Sequence, residues 1–134
     1  MAKLRHFALS VPDPEAAAAF YEKAFGLERV GASDHPGATG VYLSDGVINL
    51  ALLRYKTDEA AGEDRGKDYF GVHHFGFLVD DVDDTTSRIK DAGGTYLSGD
   101  VSQTGGFYEI KFRDPNGVIV DITENGWVTG PADD

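Results

Sequence analysis

The sequence predicts an α+β protein built from two repeated modules, each ordered strand–helix–strand–strand–strand. Three observations predict this class: a repeated segment of alternating apolar and polar residues, a helix signal after each copy, and two hairpin signals. Residues 5–13 (RHFALSVPD) and residues 73–81 (HHFGFLVDD) correspond at an offset of 68 positions. His6 falls on His74 in this alignment, so the repeat predicts equivalent opening strands.

A helix signal follows each opening strand. The first helix is predicted after Asp13 and Pro14, a capping residue and a proline suited to the first helical turn, and it should stop at Gly26. We expect its apolar stripe to consist of Phe20, Tyr21, Ala24 and Phe25. The second helix is predicted to begin near Asp81 or Asp84, to carry Ile89 and Ala92, and to end at Gly93 and Gly94.

Two hairpins complete the repeat. The first is predicted from Val41–Ser44 and Val47–Leu52 around the turn Asp45-Gly46, and a two-residue turn would pair Tyr42 with Asn49. The second is predicted from Tyr108–Arg113 and Val118–Thr123 around residues 114–117, and a three-residue loop would pair Lys111 with Asp121.

These elements predict one domain, residues 1–134, with a first module at 1–55 and a second at 69–134. The polar stretch between them, residues 56–68, is either a solvated linker or a mobile flap.

Composition narrows the function. Twelve Lys and Arg against 23 Asp and Glu give a formal net charge of −11, which repels phosphate backbones and anionic membranes. The chain has no cysteine, which excludes disulfides, thiolate nucleophiles and Cys-ligated metals. We find no long apolar run before Pro12 and no window approaching the ~20 apolar residues of a membrane span. The sequence therefore predicts a cytoplasmic protein with a small-molecule partner and neither nucleic acid nor membrane.

Strand alternation places four polar residues on one face. The large apolar residues of the strands share the other face, which we expect the helices to cover: Phe7, Leu9, Val11, Ile48, Leu50, Leu52, Phe75, Phe77, Val79, Val118, Val120 and Ile122. The polar face carries His6, Asn49, His74 and Asp121. Tyr42 joins this face, and Glu109 and Arg113 accompany Lys111.

Two imidazoles and a carboxylate that converge form a site for one divalent ion, Fe2+, Mn2+, Ni2+, Co2+ or Zn2+. A lone histidine on a strand is ordinarily structural, but a repeat-related pair on one face favours ligands. The metal ligands are thus predicted to be His6, His74 and Asp121, while Asn49 either supplies a fourth ligand or holds a water. His73 belongs with the apolar set or the strand start. Aromatic residues at strand ends, Phe107, Tyr108, Tyr55 and Trp127, either line a pocket mouth or pack.

The pattern resembles the vicinal oxygen chelate superfamily, which contains glyoxalases, epimerases, extradiol dioxygenases and metal-free bleomycin-resistance proteins. Residues 8–30 (ALSVPDPEAAAAFYEKAFGLERV) resemble its first-module signature and residues 112–123 (FRDPNGVIVDIT) its closing hairpin. The resemblance implies a cupped, mostly antiparallel eight-stranded sheet with helices on its outer face and a homodimer. It also places His6, Asn49, His74 and Asp121 at the four positions that the family uses around its metal.

The chain departs from individual members of the superfamily. Glyoxalase I has glutamate at both carboxylate positions, where this chain has Asn49 and Asp121, and epimerases have glutamine where Asn49 lies. Dioxygenases tend to have tyrosine where Lys111 lies. Asn49 is chemically closer to the glutamine of epimerases, though one methylene shorter, and the lack of tyrosine at Lys111 counts against a dioxygenase.

The leading hypothesis is a metal-dependent lyase or isomerase of the glyoxalase or epimerase type, acting on a small molecule with adjacent oxygens. Glu109 or a displaced Asp121 would be the catalytic base, and the predicted substrate-binding residues are Tyr42, Asn49, Lys111 and Arg113. The alternatives are a non-haem Fe(II) ring-cleaving dioxygenase and a non-catalytic drug-binding resistance protein. Paired imidazoles argue against the last, because a pocket that only binds does not need them.

Overall fold

A computed structural model of the chain describes residues 1–62 and 64–129. The elements follow the predicted repeat, with one additional short helix between the two copies. In chain order they are β1 (Lys3–Ser10), α1 (Pro14–Phe25), β2 (Glu28–Asp34), β3 (Ala38–Ser44), β4 (Asn49–Tyr55), α2 (Asp58–Ala61), β5 (Gly71–Leu78), α3 (Val82–Asp91), β6 (Thr95–Ser98), β7 (Ile110–Arg113) and β8 (Ile119–Thr123).

The strands form an eight-stranded sheet in the order β2-β3-β4-β1-β5-β8-β7-β6. The pairs β2–β3, β3–β4, β6–β7 and β7–β8 are antiparallel, whereas β5 and β8 are parallel. The sheet is open, because β2 and β6 are its two edge strands. The predicted α+β class, with two βαβββ repeats in one mostly antiparallel sheet, is confirmed.

The chain divides into two compact units. The first unit consists of residues 1–6 and 74–127, and the second consists of residues 7–73 together with Val128 and Thr129. The chain passes from one unit to the other within β1 and again within β5. The predicted module boundaries at 1–55 and 69–134 stay a prediction.

Helix α1 belongs to the second unit and has the predicted ends. The Asp13 side chain accepts a hydrogen bond from the Ala16 N–H at 3.2 Å, and Gly26 ends the helix in the left-handed conformation with φ 71°. The predicted apolar stripe is wrong in part, because Phe20 is 59% and Phe25 69% exposed. Small residues bring the helix against the sheet instead: the core around buried Ala18 includes Ala17 and Tyr21.

Helix α3 belongs to the first unit and begins at the first of the two predicted positions. The Asp81 side chain accepts from the Asp84 N–H at 3.0 Å. Val82 is buried in a core with Val79, Ile110, Phe112 and Ile122. Beyond the helix, the Gly94 N–H donates to the Ile89 carbonyl, consistent with the predicted glycine stop.

The first hairpin, in the second unit, differs from its prediction. Ser44 pairs with Asn49 and Tyr42 pairs with Ala51, so the predicted Tyr42–Asn49 pair is wrong. The loop has four residues rather than two, because the Asp45 carboxylate accepts from the N–H groups of Val47 and Ile48 and so stabilises a wider turn. The partner of Tyr42 is displaced by two positions, from Asn49 to Ala51. Because side chains alternate between faces with a period of two, Tyr42 still shares a sheet face with Asn49.

The polar stretch 56–68 contains the short helix α2, capped by Thr57 and ending in buried Ala61. Ala61 packs in a small core with Ala38 and Tyr55. The part of this stretch that contains α2 is therefore packed rather than wholly solvated. Within residues 1–62 and 64–129, none of the helices has both the length and the apolar character needed to cross a membrane.

Candidate metal centre

Three neighbouring strands of the sheet place the candidate ligands side by side. β1 carries His6, β5 carries His74 and β8 carries Asp121, and these strands are consecutive in the sheet. Asp121 pairs with Gly76, and Gly76 lies two positions after His74, so His74 and Asp121 share one face. On the other side of β8, Lys111 pairs directly with Asp121, as the predicted three-residue loop requires.

The ligand atoms converge within the first unit. The Nε2 atoms of His6 and His74 are 3.3 Å apart, and His74 Nε2 lies 3.3 Å from the Asp121 carboxylate. His6, His74, Glu109 and Asp121 each offer one ligand atom, and these four atoms lie within 4.8 Å of one another. His6, His74 and Asp121 are buried, with Asp121 completely inaccessible. The structure therefore brings together all three predicted metal ligands and adds Glu109 beside them.

Glu109 immediately precedes β7, and its side chain extends to the cluster. Its carboxylate accepts a hydrogen bond from the Trp127 indole N–H at 3.0 Å. The Trp127 ring in turn stacks on the His6 imidazole, with centroids 4.7 Å apart and planes inclined by 3°. Trp127 therefore contacts two members of the cluster at once.

Lys111 supplies the positive charge nearest to Asp121. Its ammonium donates to both carboxylate oxygens, at 2.9 and 2.8 Å. Burial nevertheless raises the pKa of Asp121 to about 8. The Lys111 charge lowers this pKa, but burial and the nearby Glu109 carboxyl together outweigh it.

The neighbouring carboxyl shifts the other way. Burial opposes ionisation of Glu109, but the hydrogen bond with Asp121 and the charges of Lys111 and His6 outweigh it and lower its pKa, with help from the Trp127 hydrogen bond. Two carboxyls this close share a proton rather than both ionise, so the pair titrates as a unit. Within the pair, the pKa of Glu109 is the lowered one and the pKa of Asp121 is the raised one.

The donor set fits a divalent cation. The Nε2 atoms of His6 and His74 lie 3.3 Å apart, and His74 Nε2 lies 3.3 Å from an Asp121 carboxylate oxygen, which are spacings that ligands of one ion can have. Neutral imidazole with carboxylate suits Zn2+, Fe2+, Mn2+, Co2+ and Ni2+. The cluster can therefore hold one divalent ion, with His6, His74 and Asp121 as ligands and Glu109 within reach.

The other predicted site residues lie at defined places. Asn49 is buried in the second unit, and its amide nitrogen donates to the Val128 carbonyl at 2.7 Å. Tyr42, also in the second unit, is half-buried and exchanges a 2.7 Å hydrogen bond with Ser33. Arg113, in the first unit, donates to the Gly117 carbonyl of its own hairpin at 3.0 Å. The substrate-binding roles of these three residues stay predictions.

Sequence patterns did not predict that Glu109 and Trp127 would meet beside the histidines. Glu109 was expected beside Lys111 as a base, and its approach to the histidines depends on an irregular segment before β7. Trp127 follows the last strand, where no periodicity fixes the direction of a side chain. The sequence does contain one signal for this packing: Gly76 lies in the middle of an apolar strand, where a glycine often marks the close approach of another group. A Cβ at Gly76 would lie 2.6 Å from the Trp127 ring.

A family model described as the Glyoxalase/Bleomycin resistance protein/Dioxygenase superfamily matches residues 3–122. The fold and the cluster of histidines and carboxylates agree with this match. The chain belongs to that superfamily, which confirms the resemblance drawn from the sequence.

Within the superfamily, the chain is similar to epimerases. It is 28% identical over 130 residues to an ethylmalonyl-CoA/methylmalonyl-CoA epimerase of Cereibacter sphaeroides, covering 91% of this chain and 97% of that protein. A variant of Streptomyces coelicolor methylmalonyl-CoA epimerase in complex with 2-nitronate-propionyl-CoA matches with a TM-score of 0.70 and 26% identity, covering 90% of this chain and 92% of that one. A methylmalonyl-CoA epimerase in complex with methylmalonyl-CoA and NH4+ matches with a TM-score of 0.71 and 25% identity, covering 91% and 93%.

Proposed function

We propose that the chain is a divalent-metal-dependent isomerase that inverts the configuration of a carbon next to a thioester carbonyl, acting on a 2-alkylmalonyl-CoA. The observation that carries this proposal is the convergence of four ligand groups, from His6, His74, Glu109 and Asp121, within 4.8 Å. The similarity to epimerases that act on ethylmalonyl-CoA and methylmalonyl-CoA supports the substrate class.

His6, His74 and Asp121 would hold the ion. When bound, a divalent cation supplies positive charge for the oxygen of a developing enolate, which makes the adjacent C–H bond more acidic. Asp121 must be ionised to act as a ligand, so its proton leaves when the site is loaded.

Glu109 is the proposed base. Its carboxylate, ionised at neutral pH and oriented by the Trp127 N–H, accepts the proton from the carbon between the two carbonyl groups. The electron pair of the broken C–H bond moves onto the thioester oxygen. The electron pair then returns from the thioester oxygen to the carbon, which takes a proton from solvent water on its opposite face. The C–H bond is restored with inverted configuration, and Glu109 releases its proton to water.

Lys111 is the proposed substrate-orienting cation. Its side chain is 30% exposed while its ammonium contacts buried Asp121, so it links the cluster to solvent. An ammonium at this place can pair with the free carboxylate of a malonyl group. Tyr42, Asn49 and Arg113 are proposed to complete substrate binding, and a homodimer and a cytoplasmic location remain part of the proposal.

Hydrogen–deuterium exchange tests the proposed reaction. The chain loaded with Co2+, Mn2+, Ni2+ or Zn2+ is incubated in D2O with one epimer of methylmalonyl-CoA or ethylmalonyl-CoA, and exchange at the carbon between the carbonyls is followed by NMR. We expect metal-dependent exchange with loss of optical purity. Glu109→Gln should slow it by about 100-fold or more, the typical contribution of a general base, whereas the exposed control Asp100→Asn should not.

Two outcomes would point elsewhere. Tight binding of the thioesters without exchange, whatever the ion, would favour a binding protein. A yellow ring-cleavage product from a catechol after anaerobic Fe(II) loading and exposure to air would favour the dioxygenase hypothesis.

A further inference from the structure

Trp127 is the one tryptophan of the chain, and it lies against the candidate metal centre. Its ring is parallel to the His6 imidazole within 3°, at a centroid distance of 4.7 Å. Stacked rings at this distance gain both dispersion energy and a fixed relative orientation. The contact therefore restricts rotation of the His6 ring about the bond that aims Nε2 at His74.

The same indole group also holds Glu109. Its Nε1–H donates to the Glu109 carboxylate at 3.0 Å. Tryptophan has a single N–H donor and no acceptor, so this hydrogen bond favours the ionised carboxylate over the protonated one. One rigid side chain thus fixes the orientation of a ligand and of the proposed base.

The backbone beneath the indole is shaped for it. A Cβ at Gly76 would lie 2.6 and 2.8 Å from two carbons of the Trp127 ring and 3.2 Å from the Asp121 Cβ. Because real Cβ atoms do not approach so closely, any side chain at Gly76 would displace the ring. Gly76 pairs with Asp121 across β5 and β8, so the strand that carries a ligand also provides the space for the indole.

We propose that Trp127 is a positioning residue of the metal centre: its ring stack sets the His6 imidazole for metal binding, and its Nε1–H sets the Glu109 carboxylate for proton transfer. The inference rests on the proposed function, since it assigns the setting of a ligand and a base to one side chain. Loss of a side chain that holds a metal ligand in its orientation typically costs 10–100-fold in metal affinity.

Two variants separate the two contacts. Trp127→Ala removes both the stack and the N–H, and we expect its affinity for Zn2+ or Co2+, measured by calorimetry, to fall by about 10–100-fold. Trp127→Phe keeps an aromatic ring over His6 and removes only the N–H, so its metal affinity should stay within about threefold while exchange catalysed through Glu109 slows by about 10-fold or more. Phe25→Ala is the matched control, because Phe25 is an aromatic residue of α1 that is 69% exposed, and metal affinity should be unchanged in this variant.

The single tryptophan provides a readout that does not depend on activity. Its indole N–H gives one cross-peak in a proton–nitrogen correlation spectrum of the labelled protein. Glu109→Gln should move this peak upfield, because a carboxylate acceptor is lost. Zn2+ should shift it and Co2+ should shift or broaden it at the stoichiometry found by calorimetry.

The results distinguish the inference from the function on which it rests. A wild-type chain that binds none of the divalent ions would overturn the proposed function. A wild-type chain that binds them, together with a folded Trp127→Ala of equal affinity or an indole peak indifferent to both metal and Glu109→Gln, would overturn the inference alone. If Trp127→Ala does not fold, unchanged exchange in Trp127→Phe overturns it equally.

Discussion

Two adjacent buried histidines, His73 and His74, have different surroundings. His73 belongs to the second unit, where its Nε2 lies 2.6 Å from the Ala61 carbonyl and its Nδ1 lies 3.3 Å from the Tyr55 hydroxyl. His74 belongs to the first unit, where its Nε2 faces His6 and Asp121. Both are about 95% buried. Burial therefore does not mark a ligand; the chemistry of the neighbours does.

The two histidines differ in the charge and hydrogen-bonding character of the groups that surround them. The His73 ring donates from Nε2 to the Ala61 carbonyl, and its Nδ1 shares a hydrogen bond with the Tyr55 hydroxyl. A second imidazole and two carboxyls surround His74, and together they form a donor set suited to a cation. The predictions below test whether this difference separates a structural histidine from a functional one.

The largest effect is expected from removing the functional member of the pair. His74→Ala takes one ligand from the cluster, so the affinity for Zn2+ or Co2+ should fall by more than the roughly 100-fold typical of losing a supporting contact. Titration calorimetry measures the affinity, and circular dichroism checks that the chain is folded. Metal affinity equal to that of the wild type would remove His74 from the site.

Changing the other histidine should affect stability instead. His73→Phe keeps an aromatic ring but leaves the Ala61 carbonyl and the Tyr55 hydroxyl without this partner, at a cost of about 1–3 kcal/mol in the free energy of unfolding. Urea unfolding measures this cost, and metal affinity should stay within about threefold. A large loss of metal affinity in a folded His73→Phe would contradict the distinction.

An increase in affinity is expected at Lys111. Its ammonium occupies both oxygens of Asp121, so it competes with any cation that uses this carboxylate. Lys111→Met should raise metal affinity by about 10-fold, because the ion then meets one positive charge fewer. Lys90→Met, at an exposed position of α3, is the matched control. Weaker metal binding in Lys111→Met would mean that the ammonium holds Asp121 in place rather than competing for it.

The smallest effect is a proton count. The pKa of Asp121, raised by burial to about 8, keeps the carboxyl protonated at pH 7, and metal ligands must be deprotonated. Metal binding at pH 7 should therefore release about one proton, falling towards none above pH 9. Calorimetry in buffers of different ionisation enthalpy measures this number. If no proton were released at pH 7, Asp121 would already be ionised in the metal-free chain, which would contradict the prediction.

The raised pKa of Asp121 also predicts how the stability of the metal-free chain depends on pH. Because the pKa of Asp121 is raised on folding, its favourable contribution is full below its ordinary value of 3.8 and is lost as the pH rises through about 8. The pKa of Glu109 is lowered, so its contribution is present above 4.5 and is lost only at lower pH. Between about pH 5 and 8 the melting temperature should fall as the pH rises, and saturating Zn2+ should remove the trend.

Sequence patterns predicted the architecture well where local chemistry dictates it. Alternation located His6 and His74 on one face, and the turn at residues 114–117 fixed the register that pairs Lys111 with Asp121. The length of the first hairpin loop was not predicted correctly. The Asp45 side chain widened the first hairpin and shifted the partner of Tyr42, a local hydrogen-bond choice that the Asp-Gly signal does not encode.

The remaining errors concern side chains outside regular periodicity. Phe20 and Phe25 have helical spacing yet are exposed, because alanines form the close contact of α1 with the sheet. Glu109 and Trp127 lie outside the strands, so their meeting with His6 depends on tertiary packing. The repeat and the hairpin register could thus place His6, His74 and Asp121 on one face, whereas the contacts of Trp127 with His6 and Glu109 could not be predicted.

The central claim, that the first unit gathers one divalent ion between its repeat-related histidines, is tested most directly by anomalous diffraction at the zinc edge from crystals grown with Zn2+. The account predicts one strong peak about 2.0–2.1 Å from the Nε2 atoms of His6 and His74, with an Asp121 oxygen completing the contact. A peak at His73 or His35, or none at the cluster despite saturating Zn2+, would contradict it.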